Sequence, residues 1–278
     1  MNEDELSLLR ALADVALNAA HPTVDTAGEP GFDGDVAQAF EEAARGAIEA
    51  RLKELQLPLL LLMEDGRPTR LGRGAPTARL IIDPVDGCDN FARGMPFSAL
   101  STFSGAAVPP AGPLAPATVR AALIRPLAGA QVTFVADGQG ARAEWREGSE
   151  ALRVSTVERL EEAMISVELD HFAPGLPLAE VIQTAHGVRA TGSCSAALLA
   201  VACGQIDAHV DIRARLTAES WLAGAAMIRA AGGVVVLLDE ALEQAAPPAN
   251  MLERRSIVAA ASRPLLEDIL ARLRKIFL

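Results

Sequence analysis

The stretch ARLIIDPVDGCDNF, residues 78–91, is the most informative in this 278-residue chain. It opens on a short apolar run, residues 78–82, that reads as a strand, and Asp83 arrives at the carboxyl end of that run. Asp86 follows three residues later. Pro84 restricts the backbone between the two carboxylates, Gly87 allows a tight turn, and Cys88-Asp89-Asn90 can open a helix. Two carboxylates with the Val85 carbonyl beside them are hard oxygen donors suited to Mg²⁺. The free amide N–H groups of a helix start aim at an anion in the same place. A cation site next to an anion hole is what phosphoryl chemistry requires. At this point the plainer reading, a turn with a capping aspartate, stays open.

Upstream, Leu6, Leu9, Ala13, Ala16 and Leu17 stand at helical spacing, so residues 4–20 read as an amphipathic helix. A Gly/Pro/Asp-rich connector, residues 26–34, leads to a second helical pattern over 35–54. Pro58 and LLLLM then read as a buried strand that ends at Glu64-Asp65-Gly66. Downstream, residues 99–107, 118–124 and 131–136 are strand-like, the last two joined through Pro126 and Gly129 in a hairpin signature. From about residue 153 helices and β-branched strands alternate to the end. The expectation is a mixed α/β chain in two closely packed halves: residues 1–150 carry DPVDG, and 151–278 complete a cleft.

Composition narrows the function classes. Net charge is −11, which argues against a nucleic-acid surface, while bound cations would still let a phosphate approach. The apolar run at 55–63 is too short to cross a bilayer, and the acidic N-terminus lacks the basic region of a signal peptide. Cys88, Cys194 and Cys203 have neither zinc spacing nor the look of a disulfide framework, so a reducing cytoplasm fits. The four histidines, His21, His171, His186 and His209, read as surface or packing residues, Trp145 and Trp221 as core or interface, and Glu41-Glu42 as a solvated helix face.

DPVDGCDNF resembles the DP(I/V/L)DGTxNF signature of inositol monophosphatases and their fructose-bisphosphatase relatives. Weaker similarities follow in the family's order: LLLLMEDG, GSCSAALLAVACGQIDAHVDIR, WLAGAAMIRAAGGVVV and SIVAAASRPLLEDIL. The resemblance spans roughly residues 33–272. It implies a layered α-β-α-β-α sandwich and a Mg²⁺-dependent phosphatase, with Mn²⁺ a possible substitute, acting on a small phosphorylated metabolite. It also implies a homodimer, with neither nucleic acid nor membrane as a partner. Carried over position by position, Glu64, Asp83 and the Val85 carbonyl hold a first metal, and Asp83 and Asp86 a second. Gly87 and Cys88 amides bind phosphate, while Gly192, Ser193, Asp211 and Arg213 line the sugar end of the cleft. Asp35 aligns loosely with an aspartate that orients the attacking water, and is otherwise a helix N-cap.

Two departures fall inside this set. The family threonine after DPxDG is Cys88, a soft and weak hydrogen-bond partner, with Asp89 beside it as a substitute base. The family aspartate of the second metal falls on Ser220, which brings no charge but serves as an N-cap for a helix starting at Trp221. Neighbouring Glu219 is expected to point elsewhere. With both departures, a chain that kept the fold and lost the chemistry, serving as a phosphate-ligand sensor or interaction subunit, is the alternative.

Overall fold

The structure is a computed structural model that describes residues 2–20, 39–64, 66–94, 101–127, 132–170 and 176–274. Asp35, His21, His171 and the 26–34 connector lie outside these residues.

The chain begins with two helices, α1 (Asn2–Ala19) and α2 (Ala39–Leu55). An eight-stranded sheet follows, built from β1 (Leu59–Leu62), β2 (Thr69–Leu71), β3 (Ala78–Asp86), β4 (Thr102–Val108), β5 (Ala121–Pro126), β6 (Thr133–Asp137), β7 (Gly140–Trp145) and β8 (Gly148–Ala151). Its order is β2-β1-β3-β4-β5-β6-β7-β8, with α3 (Cys88–Ala92) directly after β3. The remainder is β9 (Met164–Val167), α4 (Leu176–Thr184), β10 (Gly187–Arg189), α5 (Cys194–Ala202), β11 (Ala208–Leu216), α6 (Ala218–Ala230), β12 (Val234–Leu238), β13 (Arg255–Ala260) and α7 (Arg263–Arg274). Its strands form a second sheet in the order β10-β9-β11-β13-β12.

Strand alternation sorts side chains into layers, because successive residues face opposite sides of a sheet. On β5, Ala121 and Leu123 pack toward α1 and α2, while Ala122 and Ile124 pack toward α5 and α6. On the second sheet, Ile257 and Ala259 of β13 meet α5 and α6 from the other side. Val258 and Ala260, with Ile165, Val167, Ala208 and Val210, face α4 and α7. The result is the expected five-layer sandwich of helices, sheet, helices, sheet, helices. The hairpin β7–β8 adds two strands beyond those the sequence pattern marks; its edge strand β8 is exposed throughout, and Trp145 at its turn is 39% exposed rather than core. Trp221 is fully buried. Among the described residues no helix is long and apolar enough to cross a membrane.

The middle layer explains the alanine-rich composition. Helices α5 and α6 touch both sheets, so almost every side of them is covered: all of α5 except Ala200 is buried, as are Ala218, Glu219 and residues 221–228 of α6. Small side chains let the two helices approach one another closely. At Gly224 an added Cβ would lie 2.6 Å from the Leu198 Cβ. Gly224→Ala is therefore expected to destabilise the chain by about 1–3 kcal/mol through overpacking, although alanine is favoured over glycine within a helix by about 1 kcal/mol. Urea unfolding of the variant checks this, and stability equal to or above wild type would show that the crossing has slack.

Candidate functional site

The strand carrying the aspartates does not stop at residue 82. It runs through Asp86 with a bulge between Asp83 and Asp86. Asp83 pairs with Ser104 of β4 and Asp86 with Thr102, so three steps along β3 match two along β4. Without the extra residue Val85 would share the face of Asp83. With it, Val85 turns into the α1/α2 core and both carboxylates stand on the α5/α6 side. Proline is tolerated inside a sheet at such bulges because the ladder hydrogen bond is already interrupted there. Gly87 then takes φ 83°, a left-handed conformation that favours glycine, and α3 begins.

Strand β4 repeats the two-residue step with polar side chains in an otherwise apolar strand. Thr102 and Ser104 each connect one β3 aspartate to one helix start. The Thr102 hydroxyl bonds the Ser195 hydroxyl at 2.6 Å. Ser195 in turn donates its backbone N–H to Asp86 at 2.6 Å and its hydroxyl to the same oxygen. Burial raises the Asp86 pKa, and the hydrogen bonds from Ser195, Ser193 and the Cys194 amide work against that rise. The second link runs from the Ser104 hydroxyl to the Glu219 backbone carbonyl, 3.5 Å away at the start of α6.

Asp83 receives one local bond, from the Val85 amide at 3.1 Å. Burial first, and then the charges of Asp86, Glu64, Glu219 and Glu41, push its carboxyl well above the usual range. Glu64 follows β1 in a turn and is exposed. The single proton of the Cys88 thiol has two acceptors in reach, the Val85 carbonyl at 2.8 Å and Glu41 at 3.6 Å. Burial and the surrounding carboxylates raise the thiol pKa well above its ordinary value, so it stays protonated. Cys88 is thus a donor here, and the carbonyl expected to face a metal accepts from it.

Several sequence expectations need correction. Helix α6 starts at Ala218 with Thr217 as N-cap, so Ser220 is its third residue, half-buried, and not the cap. Glu219 points into the site: it is 3% exposed, accepts from the Thr217 hydroxyl, and its charge reaches Asp83. Glu41 is no solvated face residue but the acid across from Cys88. Asp89 is exposed on α3, whereas the carboxylates acting on Cys88 are Glu41, Asp83, Glu64 and Asp86. Asp211 is fully buried and gripped by Arg213 through Nε and Nη2, so it anchors the guanidinium instead of lining a cleft itself. The Arg213 Nη1 reaches the Asp170 carbonyl at 2.9 Å. Ser193 caps α5 by accepting from the Ala196 amide. Gly192, at φ 67°, lets the 191–193 turn close onto Asn90, whose side chain donates to the Thr191 carbonyl. The alternation of Thr102 and Ser104 in STFSGAAV is the signal that could have exposed the second row of the site.

The donors present suit a divalent cation in chemistry: carboxylate oxygens that raise one another's pKa, and a buried Glu219 Oε2 without a partner among the described residues. As these side chains lie, no three of the described His, Cys, Asp and Glu residues stand at a spacing that would hold an ion. The fit is therefore one of donor type and orphaned oxygen.

Two buried groups give the metal-free chain opposing pH responses. Burial raises Glu219 from 4.5 to about 7, so the folded chain binds the extra proton, and this contribution is full below about 4.5 and lost as pH rises through 7. Burial lowers His209 from 6.5 to about 4, so its contribution is present above 6.5 and lost as pH falls toward 4. In chelator, Glu219→Gln is expected to stabilise the chain more at pH 8 than at pH 5, the difference reaching at most about 3 kcal/mol. Urea unfolding at both pH values checks this; an equal effect at both would mean Glu219 does not titrate in this range.

Comparison with known proteins identifies the family. The model of the inositol monophosphatase family matches residues 8–277. An inositol-1-monophosphatase from Mycobacterium leprae (strain TN) is 30% identical over 168 residues, 58% of this chain and 53% of that protein, so this match spans about half of that relative. A fructose-1,6-bisphosphatase/inositol-1-monophosphatase from Thermococcus kodakarensis is 27% identical over 85% of this chain and 82% of its own length. The structure of the inositol monophosphatase from Anabaena (Nostoc) sp. PCC 7120 superposes with a TM-score of 0.73 at 19% identity, covering 98% of this chain and 95% of that one. With the family model matching residues 8–277 of its length, and with the overall fold in agreement, this chain belongs to the inositol monophosphatase family.

Proposed function

We propose that this chain is a phosphatase that hydrolyses a small phosphate monoester, an inositol phosphate or sugar phosphate, with Mg²⁺ or Mn²⁺ as cofactor. The observation that carries the reading is the pair of half-buried aspartates brought to one face of β3 by its bulge, beneath the starts of α5 and α6. The names of the two relatives, one an inositol monophosphatase and one acting on fructose bisphosphate as well, support that substrate class. A cation held by Asp83, Asp86 and Glu64 would offset their negative charge and stabilise an oxygen leaving phosphorus.

The chain's own residues then have separable tasks. Asp86 is fixed in place by α5, so its remaining oxygen has one orientation to offer. The Cys88 thiol, protonated, has the Val85 carbonyl and Glu41 in reach of its one proton. Glu41, the acid of this pair, is better placed than exposed Asp89 to accept a proton from a water near Asp83. Amides at Gly87 and Cys88 are the donors for phosphate oxygens. Arg213 presents a positive group whose direction is set by Asp211 and the Asp170 carbonyl. The turn of Gly192 and Ser193 leads into α5, whose Ser195 holds Asp86.

Initial rates on inositol phosphate, fructose bisphosphate and a generic phosphate ester, with and without Mg²⁺, test the proposal. Turnover is expected only with the cation. Asp83→Asn removes the one carboxylate common to both proposed cation positions and is expected to lower the rate roughly 100-fold or more, with an unchanged circular dichroism spectrum. A folded Asp83→Asn protein that turns over like wild type would place the chemistry elsewhere.

A further inference from the structure

Among the described residues of the site, Glu219 is the acid with a buried carboxylate oxygen that lacks a partner. One oxygen accepts from the Thr217 hydroxyl, while Oε2 is buried with no hydrogen-bond partner among the described residues. Its position is fixed from two directions. Thr217 and Glu219 open α6 as N-cap and second residue, and the Glu219 carbonyl accepts from Ser104, the residue paired across the ladder with Asp83. The carboxylate is near enough for its charge to act on Asp83, and those of Glu64 and Asp86 act on it in turn. An unpaired, buried carboxylate oxygen under the charge of other carboxylates disfavours an anion as occupant. A bridging water would supply a hydrogen bond yet leave the like charges unopposed, whereas a divalent cation answers both needs, since it takes several hard oxygens at once.

We propose that Glu219 is a ligand of the divalent cation bound at Asp83 and Asp86, supplying the carboxylate that sequence alignment assigns to the next position, Ser220. The inference rests on the metal-dependent reading above. Glutamate is one methylene longer than aspartate, so it reaches the same space from one residue earlier in the helix start. Ser220, third in α6 and half-buried, then needs no charge. The site is complete in carboxylates by a shift of one residue.

Mn²⁺ is the probe, with affinity and stoichiometry read by calorimetry and by the loss of the free-ion paramagnetic resonance signal. Glu219→Gln keeps shape and removes charge; it is expected to weaken Mn²⁺ about tenfold or more, or to remove one of the bound ions, and to shrink the Mn²⁺-induced rise in Tm. Ser220→Ala is expected to bind as wild type does. If Glu219→Gln fails to fold, Glu219→Asp retains the charge on a shorter arm and is expected to bind more weakly while folded. Wild-type affinity and stoichiometry in a folded Glu219 variant overturns this inference alone. No Mn²⁺ binding by wild type, with Asp83→Asn indistinguishable from it, overturns the metal-dependent reading and this inference with it.

Discussion

One extra residue in β3 organises the molecule's functional end. A regular strand would send alternate side chains to opposite faces, and two acids three apart would then be divided between them. The bulge at Pro84-Val85 cancels that half-period, so Asp83 and Asp86 share a face and Val85 joins the core behind them. Everything else at the site is registered to that face. Thr102 and Ser104 stand opposite the two aspartates, and through them the starts of α5 and α6 are tied to adjacent rungs of one ladder. The helices reach the aspartates from a layer shared with the second sheet, so the site exists only where both sheets are docked.

The fold and the first row of the site were legible for different reasons. Layering follows from strand alternation and from helical spacing of apolar residues, and both are local patterns. The DPVDG segment was legible because proline, glycine and two acids within five residues restrict the backbone and name the chemistry together. What the sequence hid was long-range. Ser195 sits in an apolar helical run and looks like a helix residue until Asp86 is seen beside it. Glu41 lies in an acidic pair that reads as solvated, and only the approach of α2 to α3 turns one of the two inward. Glu219 reads as pointing away only if the helix starts at Trp221, because neighbouring residues at a helix start diverge; with Thr217 as the cap, Glu219 is the second helical residue. A shift of three residues in a helix boundary was enough to exchange which side chain faces the acids.

The substitution of cysteine after DPVDG also looks different in three dimensions. A thiol at a helix start in an electropositive place would ionise readily. Here the surroundings are acidic and buried, and the sulfur remains a weak donor whose one proton has a carbonyl and Glu41 in reach. It is a spacer with a hydrogen bond, in a place where a hydroxyl would offer a stronger one.

The alanine and glycine content of α5 and α6 sets the separation between the sheets, and this has an evolutionary reading. Outer helices can exchange side chains against solvent on their free faces, while the middle pair has nearly none. Enlarging a residue there would spread the layers, and the first bonds to lengthen would be those from Ser195 to Asp86 and from Ser104 to Glu219. Drift in this chain should therefore be fast in its outer layers and slow in its centre, including at positions that never touch a substrate. The middle helices act as a gauge block: their thickness is the tolerance to which the site is assembled.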